Sequence, residues 1–242
     1  MGTRSNDRIK ATDRRVDLDG LRFRYREAGA PTSPPLVLLH QLGSDARDWD
    51  AVAAALADRF HVLALDLRGH GESARAQPYT FERMRDDVAL FVDALKLERF
   101  ALLGHSMGGT VAFLVAEAFP DRLRALVVED TPPPTGSNLP EPPPEPPSPV
   151  AFDWGVVRTI VRQLNQPDPN WWDRLKDIRA RTLIIGGGAT SPIPQQRLAD
   201  VAALIPNARF VTIEGAGHRV HATKADAFIP LVREFLLSCV DR

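Results

Sequence analysis

The chain has 242 residues, 44% of them apolar and 25% charged, with a formal net charge of −1. One core can be built from this length, so no second domain is required. There is no basic surplus of the kind that nucleic acid or an anionic membrane surface selects, so neither is expected as a partner. The opening MGTRSNDRIKATDRR lacks the apolar stretch of a signal peptide, and Asn6 stands where a myristoylation motif has Ser or Thr. No run approaches the roughly 18 apolar residues of a membrane span. Cys239 is the single cysteine, which excludes an intrachain disulfide and suits a reducing cytoplasm, the expected location. Neither zinc-ligand spacing nor an EF-hand loop occurs, so no metal or cofactor is expected.

In chain order, Arg15–Leu18 and Leu21–Glu27 flank Asp19-Gly20 and read as a β-hairpin. Short, wholly apolar runs follow at Leu36–Leu39, Val62–Leu65, Phe100–Leu103, Leu126–Val128, Thr182–Ile185 and Phe210–Ile213. Such runs suit strands covered on both faces, as in a parallel sheet. Between them, Trp49–Ala57, Phe81–Leu95, Met107–Ala118, Gln195–Ile205 and Ala225–Val240 carry apolar residues at helical spacing. Strand and helix alternate, which predicts an α/β fold with a mostly parallel sheet flanked by helices.

One stretch breaks the rhythm. Thr131–Val150 holds ten of the 21 prolines. It excludes helix and central strand, because proline lacks the amide donor and has a fixed φ. Extended polyproline II geometry is expected there. Trp154–Leu164 reads as a short helix, Asn165–Asn170 as a turn, and Trp171–Ile178 completes the insertion. Residues 1–130 and 180–242 therefore read as the core, and 131–179 as a short proline-rich lid. A surface linker or a proline-rich ligand for another protein is the alternative.

Gly104-His-Ser-Met-Gly108 is a G-x-S-x-G sequence placed between a strand and a helix. In that context it makes a nucleophile elbow: a sharp turn that lifts the Ser106 hydroxyl above the sheet edge, with a helix N-terminus behind it. Two amides must then face the developing oxyanion. Met107 follows the nucleophile, and Leu42 lies in the loop His40-Gln41-Leu42-Gly43 after an early strand. His40 reads as an orienting residue of that loop. Of the six histidines, His218 alone follows Ser106 and sits at the carboxyl end of a late strand, in Gly215-Ala-Gly-His. It is the expected base, while His105 should point away from the hydroxyl and His221 should serve structure.

LLHQLGSDARDW, LALDLRGHGES, LLGHSMGG and EGAGH resemble the landmarks of the α/β-hydrolase superfamily. The resemblance covers most of the chain outside the proline-rich stretch. It implies acyl transfer through a Ser-His-acid triad in the chain order Ser, acid, His. Gln41 departs from the glycine that often follows this histidine. A second departure concerns the acid. Many relatives carry it after the strand equivalent to Thr182–Ile185, but Ser191 occupies that place here. The remaining acids lie after Leu126–Val128, where Glu129 and Asp130 are adjacent. Strand alignment favours Asp130, and the period-two rule turns Glu129 to the other face; Glu129 is the second choice.

A hydroxyl activated by histidine suits hydrolysis of a small-molecule ester or lactone. C–C bond hydrolysis, perhydrolysis or a ligand receptor with little turnover are the alternative uses of the same residues. Gln41, Phe152, Trp154, Trp171 and Trp172 are candidates to line the substrate pocket; the aromatics have a second reading, as anchors of the insertion. Asp66 is expected to fix the Arg68–Gly71 turn, and Asp86 and Asp87 to be solvated or paired with Arg83 or Arg85.

Overall fold

A computed structural model describes residues 10–240; the leader and myristoylation readings fall on residues that lie outside this range. Among the described residues no helix is long and apolar enough to cross a membrane.

Eight strands form one sheet. They are β1 (Thr12–Leu18), β2 (Leu21–Ala28), β3 (Pro35–Leu39), β4 (His61–Leu65), β5 (Phe100–His105), β6 (Leu123–Glu129), β7 (Arg181–Gly186) and β8 (Ala208–Thr212), in the spatial order β1-β2-β4-β3-β5-β6-β7-β8. The hairpin turns where expected: Leu18 pairs with Leu21, and Asp19 and Gly20 both take positive φ, the geometry of a two-residue hairpin loop. The β2–β4 pairing is also antiparallel, whereas β4, β3, β5, β6, β7 and β8 run parallel.

Period-two alternation divides the core between the two faces of the sheet. Val37, Leu39, Leu102, Leu126, Val128 and Ile184 point to one face. There they meet α2 (Phe81–Ala94) and α3 (Met107–Ala118). Leu36, Leu38, Leu103, Val127, Leu183 and Ile185 point to the other, under α1 (Asp50–Leu56) and a late helix that carries Phe228, Val232 and Leu236. With both faces covered, the central strands must be apolar throughout, which is why they read as uninterrupted runs.

Between β6 and β7 the chain leaves the sheet. Residues 131–153 form no helix or regular strand, apart from one isolated bridge between Phe152 and His70. Then come α4 (Trp154–Asn165) and the short α5 (Asn170–Asp173). The proline-rich stretch is tied down in a way its composition explains. Prolines donate nothing but keep their carbonyls. Two indoles supply the donors: Trp154 Nε1 donates to the Pro143 carbonyl at 3.0 Å, and Trp172 Nε1 to those of Pro133 and Pro134 at 3.1 and 3.2 Å. Asn165 brackets Leu139, accepting from its amide at 2.8 Å and donating to its carbonyl at 2.9 Å. After β7 come α6 (Gln195–Leu204), then α7 (Val220–Thr223) and α8 (Ala225–Val240) beyond β8.

Two buried ion pairs lie beside the sheet. Arg24 and Asp66 are both wholly buried, with Nε and Oδ2 2.8 Å apart. Asp66 also accepts the Ala46 and Glu72 amides, so it holds the chain on both sides of the Arg68–Gly71 turn. Asp86 pairs with Arg85 as expected. Asp87 is not solvated: it is buried and takes the guanidinium of Arg68 through two 2.6 Å hydrogen bonds, with Arg83 further off at 3.8 Å. An arginine folded under a turn needs a buried carboxylate, and helical spacing alone does not reveal that demand.

Candidate active site

Ser106 sits between β5 and α3 with φ 52 and ψ −118, backbone that non-glycine residues rarely adopt. Its own carbonyl accepts the amides of Gly109 and Thr110, which starts the helix directly on the turn. The packing behind the turn requires Gly108. A Cβ there would stand 2.4 Å from the Leu39 carbonyl oxygen and 2.6 Å from that of His40. Only glycine lets the first turn of α3 approach the end of β3 so closely. That approach brings the loop 40–43 beside Ser106.

The loop is held by two histidines acting as acceptors. His40 Nδ1 donates to the Gln41 carbonyl at 2.7 Å, and its Nε2 accepts the Leu67 amide at 3.0 Å. His70 Nδ1 is 3.1 Å from the Arg68 carbonyl, and its Nε2 accepts the Gly43 amide at 3.1 Å. A nitrogen that accepts an N–H cannot carry a proton, so both rings must be neutral. Burial agrees: it pushes His40 down to about 4 and, together with the neighbouring His40, His70 down to about 3. With Gly43 engaged by His70, the amides of Leu42 and Met107 are left without an acceptor among the described residues. The Gln41 side chain likewise makes no hydrogen bond among them.

Across from this loop, His218 Nε2 lies 3.0 Å from Ser106 Oγ, and its Nδ1 lies 2.8 Å from Asp130 Oδ2. Hydroxyl, imidazole and carboxylate thus form one hydrogen-bonded row. Asp130 is fully buried and also has positive φ, at 47. Its carboxylate accepts three further donors: Gly187 N at 2.9 Å, Ser191 Oγ at 2.5 Å and Gln195 Nε2 at 3.4 Å. Burial opposes its charge, but the hydrogen bonds from His218, Ser191 and Gly187 outweigh that, and its carboxyl stays below its ordinary range. Ser191 thus donates its hydroxyl to the carboxylate that faces His218.

Gly187 joins the two strand ends. A Cβ on it would fall 1.8 Å from the Gly217 carbonyl oxygen, so only glycine fits. Its amide serves Asp130, and its carbonyl accepts the amides of Ala216 and Gly217, which fixes the start of the loop that bears His218.

Glu129 does not share this row. It is wholly buried and takes His221, whose Nδ1 lies 2.8 and 2.9 Å from its two oxygens and whose amide donates to it at 2.9 Å. The alternation along β6 turns it to the α1/α8 side, as the period-two rule requires. His105 reaches the His218 carbonyl through Nε2, at 2.7 Å. The contacts of Glu129 with His221, of His70 with Gly43 and of Gly187 with Asp130 are not visible in the sequence motifs, where Glu129 reads only as a second choice for the acid.

Of the five residues expected around a substrate, Gln41 belongs to the loop 40–43 itself, and Phe152 reaches that loop from the insertion. Its ring stacks on His70 at 5.5 Å between centroids, and it lies 3.4 Å from where a Cβ on Gly43 would be. The contacts of the three tryptophans are those of anchors. Trp154 and Trp172 hold the proline carbonyls, and Trp171 is buried edge-on against Phe81 at 5.7 Å. Glu72 and Ser73 serve structure: Glu72 pairs with Arg15, and Ser73 accepts the Arg24 amide.

Known proteins agree with this architecture. Residues 34–152 match the family model described as the alpha/beta hydrolase fold. The chain is 25% identical over 237 residues to Esterase YbfF of Escherichia coli, covering 84% of this chain and 92% of that protein. It is 28% identical over 253 residues to the mouse sn-1-specific diacylglycerol lipase ABHD11, covering 86% and 82%. Among solved structures, a hydrolase from Pseudomonas aeruginosa superposes with a TM-score of 0.78 at 27% identity, over 97% of this chain and 99% of that one. Sheet order, elbow and relatives converge: this chain has the α/β-hydrolase fold.

Proposed function

We propose that the chain is a serine hydrolase that cleaves a small carboxylic ester or lactone through an acyl-enzyme. The observation that carries this reading is the row Ser106–His218–Asp130, with hydrogen bonds of 3.0 and 2.8 Å. His218 Nε2 takes the Ser106 proton as Oγ attacks the acyl carbon, and Asp130 stabilises the imidazolium that results. The free amides of Leu42 and Met107 receive the oxyanion; each such donor contributes roughly 3–4 kcal/mol to the transition state. His218 then protonates the leaving alcohol. A water, deprotonated by the same histidine, attacks the acyl-enzyme and releases the acid. For a lactone the leaving alcohol stays tethered, and the product is a hydroxy acid.

The relatives named as an esterase and a diacylglycerol lipase support ester chemistry. No group in the row calls for a metal or cofactor. Residues 131–179 form a lid in this reading, with Phe152 and Gln41 facing the acyl group and Trp154 and Trp172 fastening the lid to its own proline carbonyls.

Turnover of p-nitrophenyl butyrate by the purified chain, with Ser106→Ala as control, tests the reading. Steady turnover abolished in the variant is expected. Binding of esters without turnover would replace the hydrolase with a ligand receptor. Product analysis on a panel of esters and lactones then separates the two substrate classes.

A further inference from the structure

Two acids at the end of β6 meet two histidines of the loop after β8. Asp130 takes His218 and Glu129 takes His221. The second pair has no place in the acyl-transfer row, yet it is more deeply buried than the first: the His218 side chain is 27% exposed and that of His221 is 2% exposed.

The surroundings of His221 converge from four elements. Glu129 grips both its ring and its backbone amide. The indole of Trp49 lies against it at 4.4 Å, and Phe228 of α8 meets its edge at 6.1 Å. Asp48, in the turn before α1, lies 3.5 Å from Nε2 and also pairs with Arg219. His105, next to the nucleophile, packs on His221 at 5.2 Å and on His218 at 4.8 Å, and it bonds the His218 carbonyl. Residues 218, 219 and 221 are therefore each fastened to a different partner: Asp130 and His105, Asp48, and Glu129.

Charge settles what fills the cluster. Asp48 Oδ2, His105 Nδ1 and His221 Nε2 are buried without hydrogen-bond partners, and Asp48, His105 and His221 present donor atoms within 4.8 Å of one another. A divalent cation is one way to satisfy such a set. However, Asp48 already has a fixed cation in Arg219, so a single further positive charge beside Glu129 balances the two carboxylates. A proton on His221 supplies that charge. Burial works against it, but Glu129 and Asp48 push His221 up to about 9, while burial keeps His105 below its ordinary range and therefore neutral.

We propose that Glu129 and His221 are positioning residues, a buried carboxylate–imidazolium clamp that holds residues 218–221 in the one register that sets His218 between Asp130 and Ser106. The proposal rests on the serine-hydrolase reading. Its physical basis is the narrow tolerance of the row: a misplacement of about 1 Å in a reacting group costs on the order of 10²-fold in rate.

The test compares Glu129→Gln, His221→Gln and the double variant Glu129→Leu/His221→Leu with the native protein. The readouts are kcat and KM on p-nitrophenyl butyrate, the rate of fluorophosphonate labelling of Ser106, Tm, and the far-downfield NMR signal of the His218 Nδ1 proton. The single variants leave one buried group uncompensated, so Tm is expected to fall. The double variant replaces the pair with apolar side chains and is expected to recover Tm. In all three, kcat and labelling rate should drop about 10- to 100-fold with KM little changed, and the His218 signal should broaden or vanish. Recovery of kcat together with Tm in the double variant would reduce the pair to ordinary packing and overturn the clamp. So would stoichiometric divalent metal in the native protein by mass spectrometry, which would put a cation where the proton is assigned. A native protein that resists fluorophosphonate overturns the serine-hydrolase reading instead; the His218 signal in the variants still judges the clamp.

Discussion

The two sides of the Ser106 site use histidine in opposite ways. On the side of the loop 40–43, His40 and His70 are buried with no carboxylate bonded to either ring, and each accepts a backbone amide. On the far side, His218 and His221 each face a buried carboxylate. The same side chain is a neutral acceptor at His40 and His70, whereas at His221 Glu129 and Asp48 push it up to about 9. The difference lies in what shares the burial. Desolvation alone expels the proton from His40 and His70, whereas at His221 the adjacent carboxylates outweigh desolvation and retain it. The rings that accept backbone amides hold the loop 40–43, and the rings backed by carboxylates hold residues 218–221.

The largest effect should come from removing the carboxylate behind His218. Asp130→Asn keeps the shape, but its amide nitrogen cannot accept from the donors around the carboxylate and its neutral group cannot stabilise imidazolium, so kcat should fall about 10⁴-fold. Ser191→Ala removes only one neutral donor to Asp130, at 2.5 Å, and should cost about tenfold or less, in line with a single hydrogen bond of roughly 1 kcal/mol. If the two variants lose activity equally, the row depends on how Asp130 is held rather than on its charge. Ser191→Asp combined with Asp130→Asn moves the carboxylate to the next strand; any recovery above Asp130→Asn alone would show that this strand end still lies within reach of His218.

Much of this arrangement was legible in the chain. Apolar runs that alternate between two covered faces define the parallel sheet, and a G-x-S-x-G after such a run places Ser106. Asp130 could be preferred over Glu129 because adjacent strand residues face opposite sides. What escaped the sequence were contacts between elements far apart in the chain. Gly187 touches Gly217 across a strand gap, His70 reaches Gly43, and Asp87 lies under Arg68. Periodicity reports which face a residue takes but not which partner it meets there. The tryptophans are a similar case: an apolar ring suits a pocket or an anchor equally well, and the indole N–H found its acceptor only where the folded chain left proline carbonyls without donors.

The neutral side should reveal itself in acid. A histidine whose folded pKa lies below its unfolded value of about 6.5 binds its proton first in the unfolded chain. Acidification below 6.5 therefore favours unfolding, until the folded pKa is reached, at about 4 for His40 and about 3 for His70. Each ring steepens the decline by up to about 1.4 kcal/mol per pH unit in that window. His70→Gln keeps an acceptor for the Gly43 amide but cannot take a proton. Urea unfolding between pH 6.5 and 4 should show a shallower slope for this variant by about that amount. An unchanged slope would mean that His70 already carries its proton in the folded protein, and the contrast between the two sides would fail.

The smallest effect is expected where the insertion touches neither side. Trp172 donates its indole N–H to the carbonyls of Pro133 and Pro134. Trp172→Phe keeps most of the ring and removes the donor, which leaves two proline carbonyls to water in a half-buried place. The cost of one such hydrogen bond is about 1 kcal/mol, and in a chain of this size that lowers Tm by about 2–4 °C. As an anchor, Trp172 should leave kcat and KM on a short acetate ester within about twofold, because no atom of the row or of the amide loop bonds to it. A side chain lining the acyl pocket would behave otherwise: KM for longer acyl chains would rise while Tm stayed put. Steady-state kinetics across acyl lengths, read beside the melting curve, separates the two, and with them decides whether the proline-rich segment is held closed by its own carbonyls or by what it covers.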